Sequence, residues 1–554
     1  MNTFTHRFFS IWNDDNSRRL YLFGIVSAIL FKLWLLGANE LYIHYSPHDG
    51  GLFIRLAHFI LNGEWLGPYD SRTLIKGPVY PLFIAATYLF RIPLLFAQHV
   101  LYCFAALLFT HVLSTVLKNR LLQFLAFIFI LFNPFSSDYP LFYIPYRMGL
   151  YVPLVVIFFS TLIETCFPRK VSFSYSACWS LFLGLAFSLL WYTREESVWV
   201  VPALIFAFIC FILPLQKKQI SFVKRLVVVT IPLVIWGITT LTFMHLNEHH
   251  YGVRDIIDIK SDSFTSAYGG LLHIENDKPQ AGIIITKEMR EKAYKVSPSL
   301  YKLYPYLDGE KKRDWQNSFI IWSLRRGAQM GNFIENAHQA NEFWSKIGVE
   351  LKTACDDKRL ECVRSKPSIR PIWHPEFNNI ALGEFWEILR TVTEFKNVNN
   401  SDESFMSNGT GEMMWNYIHV TGELYLPSER RFISSYPQFH KEMKARHLYI
   451  LSKIANIYEV VTPIAFWLSL IGVIYLLYST INQRRFYFGL VPILTLLGSL
   501  FVIIVMLTFV KITVWEVSRP IHSGYPLILL FICYTAACIK KNGQNLREIR
   551  TNPR

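Results

Sequence analysis

Long apolar blocks dominate this sequence of 554 residues and limit what it can fold into. A helix that crosses a bilayer needs about 17–25 consecutive apolar residues. Hydrophobic residues make up 52% of the chain, which is too apolar for an ordinary soluble enzyme. The pattern therefore predicts an all-α polytopic membrane protein with about ten spans. We place them near 20–36, 94–117, 121–134, 149–167, 173–191, 198–215, 226–245, 460–478, 488–510 and 524–539.

The block 79–90 is about a dozen residues long, and Arg91 and Pro93 end it. If it crossed the membrane, every later loop would change sides. As a partial or re-entrant helix, it leaves basic pairs such as Lys118/Arg120 on the cytoplasmic side, as the positive-inside rule requires. We therefore expect a partial helix. The segments 39–91, 135–147, 192–197, 245–459 and 511–523 then lie outside the cytoplasm.

These spans divide the chain into three predicted parts. Residues 1–245 form an N-terminal seven-span module whose first external loop is 38–93, and residues 460–554 form a three-span module with a cytoplasmic tail. Between them, 246–459 has apolar residues on a helical period, which predicts a mostly helical extracytoplasmic domain. We expect the first block to be a retained span and not a cleaved signal peptide, since no small-residue cleavage site follows it.

Charge and cysteine usage narrow the class further. The net charge of +15 sits largely in short loops beside the spans, and no groove-like pattern of basic and aromatic residues suggests nucleic acid as a partner. Cys355 and Cys362 lie in a polar stretch, ACDDKRLEC, and a disulfide bond there would indicate an oxidising, extracytoplasmic environment. No zinc-ligand spacing appears, and the sequence allows a divalent metal as cofactor but does not require one.

Asp49 is the strongest candidate for chemistry, because it follows the first span closely and precedes an amphipathic segment, 52–61. A carboxylate at a bilayer edge loses hydration, which tends to raise its pKa and make it a better proton acceptor. The alternative is that Asp49 caps the helix that begins near Gly51. His48 is expected to be a neighbour in the same network. Lys76 follows the amphipathic segment and its turn.

Charged residues recur at other predicted span ends on the outer face. WYTREES carries Arg194, Glu195 and Glu196, either as a structural ion pair or as part of a site. YIPYRMG carries Arg147, and VSRPIHSGYP carries Arg519 and His522. Guanidinium groups suit the oxygens of phosphate, although interfacial anchoring would also explain each one. Lys32, within the first span, either snorkels outward or faces the bundle interior.

Together these features resemble the polytopic glycosyltransferases of the GT-C fold, which include the protein O-mannosyltransferases and the aminoarabinose transferases of lipid A. Asp49 matches the acidic residue of their first external loop, and KGPVYPLFIA (76–85) looks like the entry to their next helix. The acid that usually neighbours the first is absent here, where His48 and Gly50 stand. No subfamily can be assigned.

The resemblance implies a GT-C-like bundle and an inverting transferase that moves a sugar from a polyprenyl-phosphate donor to an extracytoplasmic glycan, lipid or protein. Asp49 would be the catalytic base. The predicted residues for binding substrate or phosphate are His48, Tyr69, Lys76, Arg147, Arg194, Glu195, Glu196, Arg519 and His522. The expected location is the bacterial inner membrane, with the site facing the periplasm and with membrane lipids as neighbours.

Two other functions use the same residues. In a transporter or lipid flippase, the charged outer-face residues would line a translocation path, but internal repeats and paired interrupted spans are absent from the sequence. In a non-catalytic scaffold, the outer helical domain would recruit partners and Asp49 would be dispensable.

Overall fold

The computed structural model describes residues 15–37, 39–43, 49–137, 142–213, 220–276, 278–309, 319–363, 368–396, 398, 406–409, 411–423, 429, 431, 434–483, 487–514 and 520–551. Within these ranges the regular structure is helical, apart from two isolated β-bridges. The α-helices are α1 (Asp15–Leu36), α2 (Gly50–Leu61), α3 (Val79–Leu89), α4 (Leu94–Leu113), α5 (Arg120–Leu131), α6 (Met148–Cys166), α7 (Phe173–Thr193), α8 (Val201–Ile212), α9 (Phe222–Tyr251), α10 (Asp262–Leu272), α11 (Lys287–Val296), α12 (Pro298–Tyr301), α13 (Tyr304–Leu307), α14 (Phe319–Met330), α15 (Ala337–Asp356), α16 (Asn378–Thr393), α17 (Gly411–Thr421), α18 (Gln438–Asn482), α19 (Leu490–Val514) and α20 (Gly524–Thr551).

Eight of the described helices are long and apolar enough to cross a membrane: α1, α4, α6, α7, α9, α18, α19 and α20. Each of them overlaps one of the ten predicted spans, so the prediction of an all-α, multi-pass membrane protein is confirmed. The other two predicted spans, 121–134 and 198–215, contain the shorter apolar helices α5 and α8. The total of ten crossings therefore stays a prediction.

The helix α3 occupies the short apolar block 79–90. Its 11 residues extend about 16 Å, roughly half the thickness of the hydrocarbon core. This length agrees with a partial helix. Pro93 has an extended backbone, and α4 begins at the next residue, so the chain turns sharply between α3 and α4.

Two helices form the centre of the membrane bundle. The apolar window of α6 is completely buried, and that of α20 is 94% buried, whereas only 17% of the corresponding window of α9 is buried. The helix α6 packs against α4, α7 and α8, and α7 in turn packs against α9. Because α6 is surrounded by protein, a polar group at its outer end must find its partners within the bundle.

The region between the two groups of spans contributes to two hydrophobic cores. Helices α10 to α15 bury their own cluster, in which the ring of Phe264 meets the edge of Trp344 at a centroid distance of 5.1 Å. Helices α16 and α17 instead contribute Ile388, Val392 and Tyr417 to the core of the membrane bundle. The predicted domain boundaries at 245/246 and 459/460 fall inside the continuous helices α9 and α18.

A disulfide bond joins Cys355, in the last turn of α15, to Cys362. The main chain around it is held by an antiparallel bridge between Ile274 and Cys362. The disulfide bond therefore ties the end of α15 to Cys362, and the bridge pairs Cys362 with the chain that follows α10.

We expect Cys355 and Cys362 to resist alkylation by a maleimide until a reductant is added, because they form a disulfide bond and the predicted topology places it in an oxidising compartment. Peptide mass spectrometry of membranes treated before lysis would measure this. Replacing both cysteines with serine should lower the free energy of unfolding by about 2–4 kcal/mol. Complete alkylation without reductant would contradict the predicted orientation.

Candidate active site

A buried ion pair joins the N-terminal end of α6 to the C-terminal end of α7. Arg147 precedes the first residue of α6, and its Nη1 donates to both carboxylate oxygens of Glu195, at 2.8 and 2.7 Å. The same nitrogen lies 3.2 Å from the carbonyl oxygen of Thr193, the last residue of α7. The side chain of Arg147 is 2% exposed and that of Glu195 is 13% exposed. The two charges thus neutralise each other away from bulk water.

A second pair lies beside the first. Arg194 has an extended backbone that ends α7, and its Nη2 and Nε donate to the two carboxylate oxygens of Glu196 at 2.9 and 3.2 Å. This forked geometry is the strong form of the arginine–carboxylate interaction. The guanidinium of Arg194 also lies 5.6 Å from the centre of the Tyr151 ring, on α6. Arg194 is buried, while Glu196 is 38% exposed and faces outward.

Ser197 and Trp199 fix the turn that carries these charges. The hydroxyl of Ser197 lies 2.8 Å from the carbonyl oxygen of Arg194, and the indole nitrogen of Trp199 donates to the hydroxyl of Tyr151 at 3.0 Å. The turn is therefore anchored to α6 on both sides of the glutamates.

The loop before α3 lies directly against this turn. The backbone nitrogen of Gly77 donates to Oε1 of Glu195 at 3.3 Å. A Cβ atom at Gly77 would stand 2.0 Å from the carbonyl oxygen of Tyr192, so only glycine permits this approach. Lys76 is thereby brought beside the glutamates. The Nζ of Lys260 donates to the backbone oxygen of Glu195 at 3.1 Å and adds a fourth cation.

The surrounding cations keep both glutamates ionised. Burial by itself would raise the pKa of Glu195, but the charges of Arg147 and then Lys76 outweigh burial and hold its pKa below the ordinary value. For Glu196, the charge of Arg194 outweighs burial in the same way and lowers its pKa strongly. Neither carboxylate is matched to proton transfer near neutral pH. They act as fixed countercharges.

Asp49 lies at the N-cap position of α2, but its side chain makes no capping hydrogen bond. Asp49 therefore has the position of a helix cap, as the alternative predicted, but the predicted capping hydrogen bond from its side chain is not formed. Phe53, one helical turn later, lies with its ring centre 5.5 Å from the guanidinium carbon of Arg147. The helix α2 thus connects Asp49 to the ion pairs. The helix α17 packs against α2. Burial, followed by the charge of Asp49, raises the pKa of Tyr417 on α17.

We call these six charged residues the cation cluster: Lys76, Arg147, Arg194, Lys260, Glu195 and Glu196. Of the predicted phosphate-binding residues, it brings together Lys76, Arg147 and Arg194 with both glutamates. The charges of the cluster sum to +2. The Nε of Arg147 is buried and has no hydrogen-bond partner in the part of the chain that the structure describes.

Other predicted residues lie elsewhere or outside the described residues. His48 and Arg519 lie outside the described residues. The hydroxyl of Tyr69 donates to Oδ2 of Asp258 at 2.5 Å, which places it at the junction of the first external loop with the outer region. His522 is buried and its ring meets that of Tyr525 at 5.4 Å. Their predicted roles in binding stay predictions.

Lys32 faces the bundle interior. It is 2% exposed, its Nζ donates to the hydroxyl of Ser136 at 2.5 Å, and it lies 5.7 Å from the ring centre of Tyr102. The alternative that this lysine snorkels outward is therefore wrong.

Four further residues line or support this site and were not predicted from the sequence: Phe53, Tyr151, Lys260 and Tyr417. Nothing in their local sequence distinguishes them from ordinary core or surface residues. Gly77 offered a weak signal, because glycine before proline and a short helix often marks a close approach of two backbones. Among the described residues, no group of three or more His, Cys, Asp or Glu could hold a metal ion.

No protein-family model matches the sequence, and no curated protein matches it either. Among solved structures, the chain is similar to the oligosaccharyltransferase of Archaeoglobus fulgidus in complex with Zn and sulfate, with 11% identity and a TM-score of 0.40, and the match covers 95% of this chain and 50% of that one. It is also similar to ArnT from Cupriavidus metallidurans in the apo state, with 10% identity, a TM-score of 0.34 and coverage of 95% and 78%. ArnT bound to undecaprenyl phosphate matches with 11% identity, a TM-score of 0.28 and coverage of 95% and 77%.

The chain thus spans half the length of the archaeal enzyme that it matches. Both similar proteins are GT-C fold glycosyltransferases. We assign the residues of the candidate site from the contacts of this chain alone.

Replacing Arg147 with methionine should lower the free energy of unfolding by about 3–5 kcal/mol, because it leaves the carboxylate of Glu195 buried without its main partner. Thermal unfolding in detergent would show this as a lower midpoint. Adding Glu195→Gln should restore part of the loss.

The control for that variant is Arg254→Met, which breaks an exposed pair with Glu248 and should change stability by no more than about 1 kcal/mol. Equal shifts for Arg147→Met and Arg254→Met would mean that the Arg147–Glu195 pair does not hold the helix ends together.

Gly77→Ala should destabilise the folded protein by more than about 2 kcal/mol, because the added methyl group meets backbone atoms of Tyr192 that cannot rotate away. The matched control is Gly383→Ala in α16, where a Cβ would meet open space and the change should be neutral or stabilising. Thermal unfolding midpoints of the two purified variants compare them directly. A Gly77→Ala protein as stable as Gly383→Ala would contradict the close approach.

Proposed function

We propose that this chain is a membrane glycosyltransferase that moves a sugar from a polyprenyl-phosphate donor to an extracytoplasmic acceptor, with inversion at the anomeric carbon. The observation that carries the proposal is the cation cluster. It holds four cations against two carboxylates where α6 begins and α7 ends, and its Arg147 contacts the ring of Phe53, which lies one helical turn along α2 from Asp49. The transferase resemblance of the sequence supports the same reaction.

The cluster suits a lipid phosphate for electrostatic reasons. Its net charge of +2 attracts an anion, and the glutamates hold the guanidiniums in place before any ligand arrives. Such preorganised charge stabilises a departing phosphate without further rearrangement. The buried Nε of Arg147 is a donor that the described residues leave unused. Lys76 is half-buried and Lys260 is exposed, so their ammonium groups are less enclosed by protein than the two guanidiniums.

Apolar surface beside the cluster suits a prenyl tail. Val198, two residues after Glu196, is 45% exposed, and Leu189 and Leu185 are exposed one turn apart on α7. A lipid that lies along this face would reach the cluster with its phosphate from within the membrane. This arrangement explains why the reaction would be built into a membrane bundle.

In the proposed reaction, Asp49 accepts the proton of the acceptor hydroxyl while that oxygen attacks the anomeric carbon. The bond between the anomeric carbon and the phosphate oxygen breaks, and its electron pair stays on the phosphate. Arg147, Arg194 and Lys76 stabilise the resulting negative charge. Glu196, whose carboxylate is partly exposed, would orient a sugar hydroxyl, while Glu195 holds Arg147. The predicted contributions of Arg519 and His522 complete the proposal at the outer end of α20.

The location proposed with this function is the bacterial inner membrane, with the cation cluster facing the periplasm. The basic residues between spans support this orientation through the positive-inside rule. The acceptor is left as a class: a glycan, a lipid or a protein hydroxyl.

Asp49→Asn should lower the rate of sugar transfer from a lipid-linked donor by about 10²–10⁴-fold, because the amide cannot accept the proton. The measurement is single-turnover transfer from radiolabelled polyprenyl-phosphate sugar by protein in proteoliposomes. The matched control is Asp262→Asn on the exposed surface of α10, which should transfer at the wild-type rate.

Unchanged transfer by Asp49→Asn would reject Asp49 as the base. Movement of the labelled lipid across the proteoliposome membrane without any glycosylated product would favour a flippase instead.

A further inference from the structure

Helix α14 presents three residues to the loop that carries Lys76. Trp322, Arg325 and Gln329 are spaced three and four residues apart, so they share one face of the helix. That face lies over residues 70–76, which lead directly into Gly77 and the cation cluster. The helix belongs to the separate core formed by α10 to α15, so this contact joins two different parts of the protein.

Arg325 holds the backbone of the loop. Its Nε donates to the carbonyl oxygen of Ser71 at 2.8 Å, and its Nη2 donates to that of Thr73 at 3.2 Å. Its Nη1 donates to Oδ2 of Asp258 at 2.8 Å. Arg325 is fully buried. Loss of its guanidinium group would leave Asp258 and two backbone carbonyl groups without these hydrogen-bond donors.

Neighbouring contacts strengthen the same junction. The backbone nitrogen of Asp258 donates to the carbonyl oxygen of Leu74 at 2.6 Å. The hydroxyl and the backbone nitrogen of Ser71 both donate to Oε1 of Gln329, at 2.5 and 3.2 Å. The loop is therefore fixed at Ser71, Thr73 and Leu74, just before Lys76.

Lys76 lies between α14 and the glutamates. Its Nζ is 5.4 Å from the ring centre of Trp322, within the range of a cation–π interaction. The next residue, Gly77, donates its backbone N–H to Glu195. The direction of the Lys76 side chain is thus set on one side by an aromatic face and on the other by carboxylates.

We propose that α14 is a positioning element for the candidate site, in which Trp322 and Arg325 hold Lys76 in the cation cluster. This proposal rests on the proposed function only for the role of Lys76 in stabilising the lipid phosphate. The region formed by α10 to α15 then contributes directly to the geometry of the site and is not only an appended binding module. Trp322 and Arg325 are positioning residues, since they act through Lys76 and the loop.

The test measures the reactivity of Lys76 itself. Purified protein in nanodiscs is treated briefly with an amine-reactive ester, and peptide mass spectrometry gives the acylation rate of Lys76 relative to that of Lys352 on α15. Loss of the cation–π contact in Trp322→Leu should raise this ratio about two- to fivefold. Trp322→Phe keeps an aromatic face and should give a ratio between those of wild type and Trp322→Leu.

The matched control is Trp386→Leu, which removes an exposed tryptophan from α16 and should leave the ratio unchanged. A Trp322→Leu protein that is monodisperse and shows the wild-type ratio would overturn the positioning of Lys76 by Trp322.

Arg325→Lys is the second variant, because lysine keeps the charge beside Asp258 but loses the fork that reaches the carbonyl groups. We expect faster amide hydrogen exchange at residues 71–76 and a higher acylation ratio for Lys76. Unchanged hydrogen exchange and an unchanged acylation ratio in Arg325→Lys would overturn the role of Arg325. This test does not depend on whether the Trp322→Leu protein folds.

A transfer assay separates this proposal from the proposed function. If the chain is a transferase, Trp322→Leu should lower kcat for transfer from the lipid donor several-fold, because a misplaced Lys76 stabilises the charge on the departing phosphate less well. If the acylation ratio responds as expected but wild-type protein transfers no sugar, the positioning by α14 stands and the proposed function fails.

Discussion

The buried pair of Arg147 and Glu195 is the interaction on which the junction of the helix ends around the candidate site depends. Removing both charges from water costs several kcal/mol for each ion, and the protein compensates with a short contact and with additional partners. Thr193 and Gly77 contribute backbone groups to the same pair, and Phe53 contributes its ring. The pair therefore connects α2, α6, α7 and the loop before α3 at a single point.

The pair also explains why the surrounding backbone is so constrained. Glu195 can meet Arg147 only because α7 ends at Arg194 in an extended conformation and the chain turns at once into the helix that follows. The loop of Lys76 can join them only because Gly77 has no side chain between it and Tyr192. A charged cluster, a helix end and a glycine thus depend on one another.

The outer region takes part in this arrangement through two separate surfaces. Helix α14 contacts the loop of Lys76 through Arg325, and α17, which carries Tyr417, packs against α2. Helices α16 and α17 share the hydrophobic core of the membrane bundle, while α10 to α15 have their own. The candidate site is consequently enclosed by residues that lie far apart along the chain.

Composition and periodicity alone were enough to predict the helical, multi-pass architecture, because the bilayer imposes a length and an apolarity on every crossing. They also singled out Asp49, Lys76, Arg147 and the TREES turn, since charges at span ends are costly and rare. Which glutamate pairs with which arginine was decided only by tertiary structure. Arg194 bonds to Glu196 within its own turn, and this leaves Glu195 for Arg147, 48 residues earlier.

Tertiary structure alone also assigned Tyr69 to Asp258, turned Lys32 inward, and placed Trp322 beside Lys76. These contacts span from 104 to 246 residues of sequence, and local patterns carry no information about partners at such separations. The physical reason is that hydrophobicity acts on each segment by itself and is therefore readable along the chain. Hydrogen bonds and ion pairs are short-ranged and directional, so they are settled only once the helices have packed.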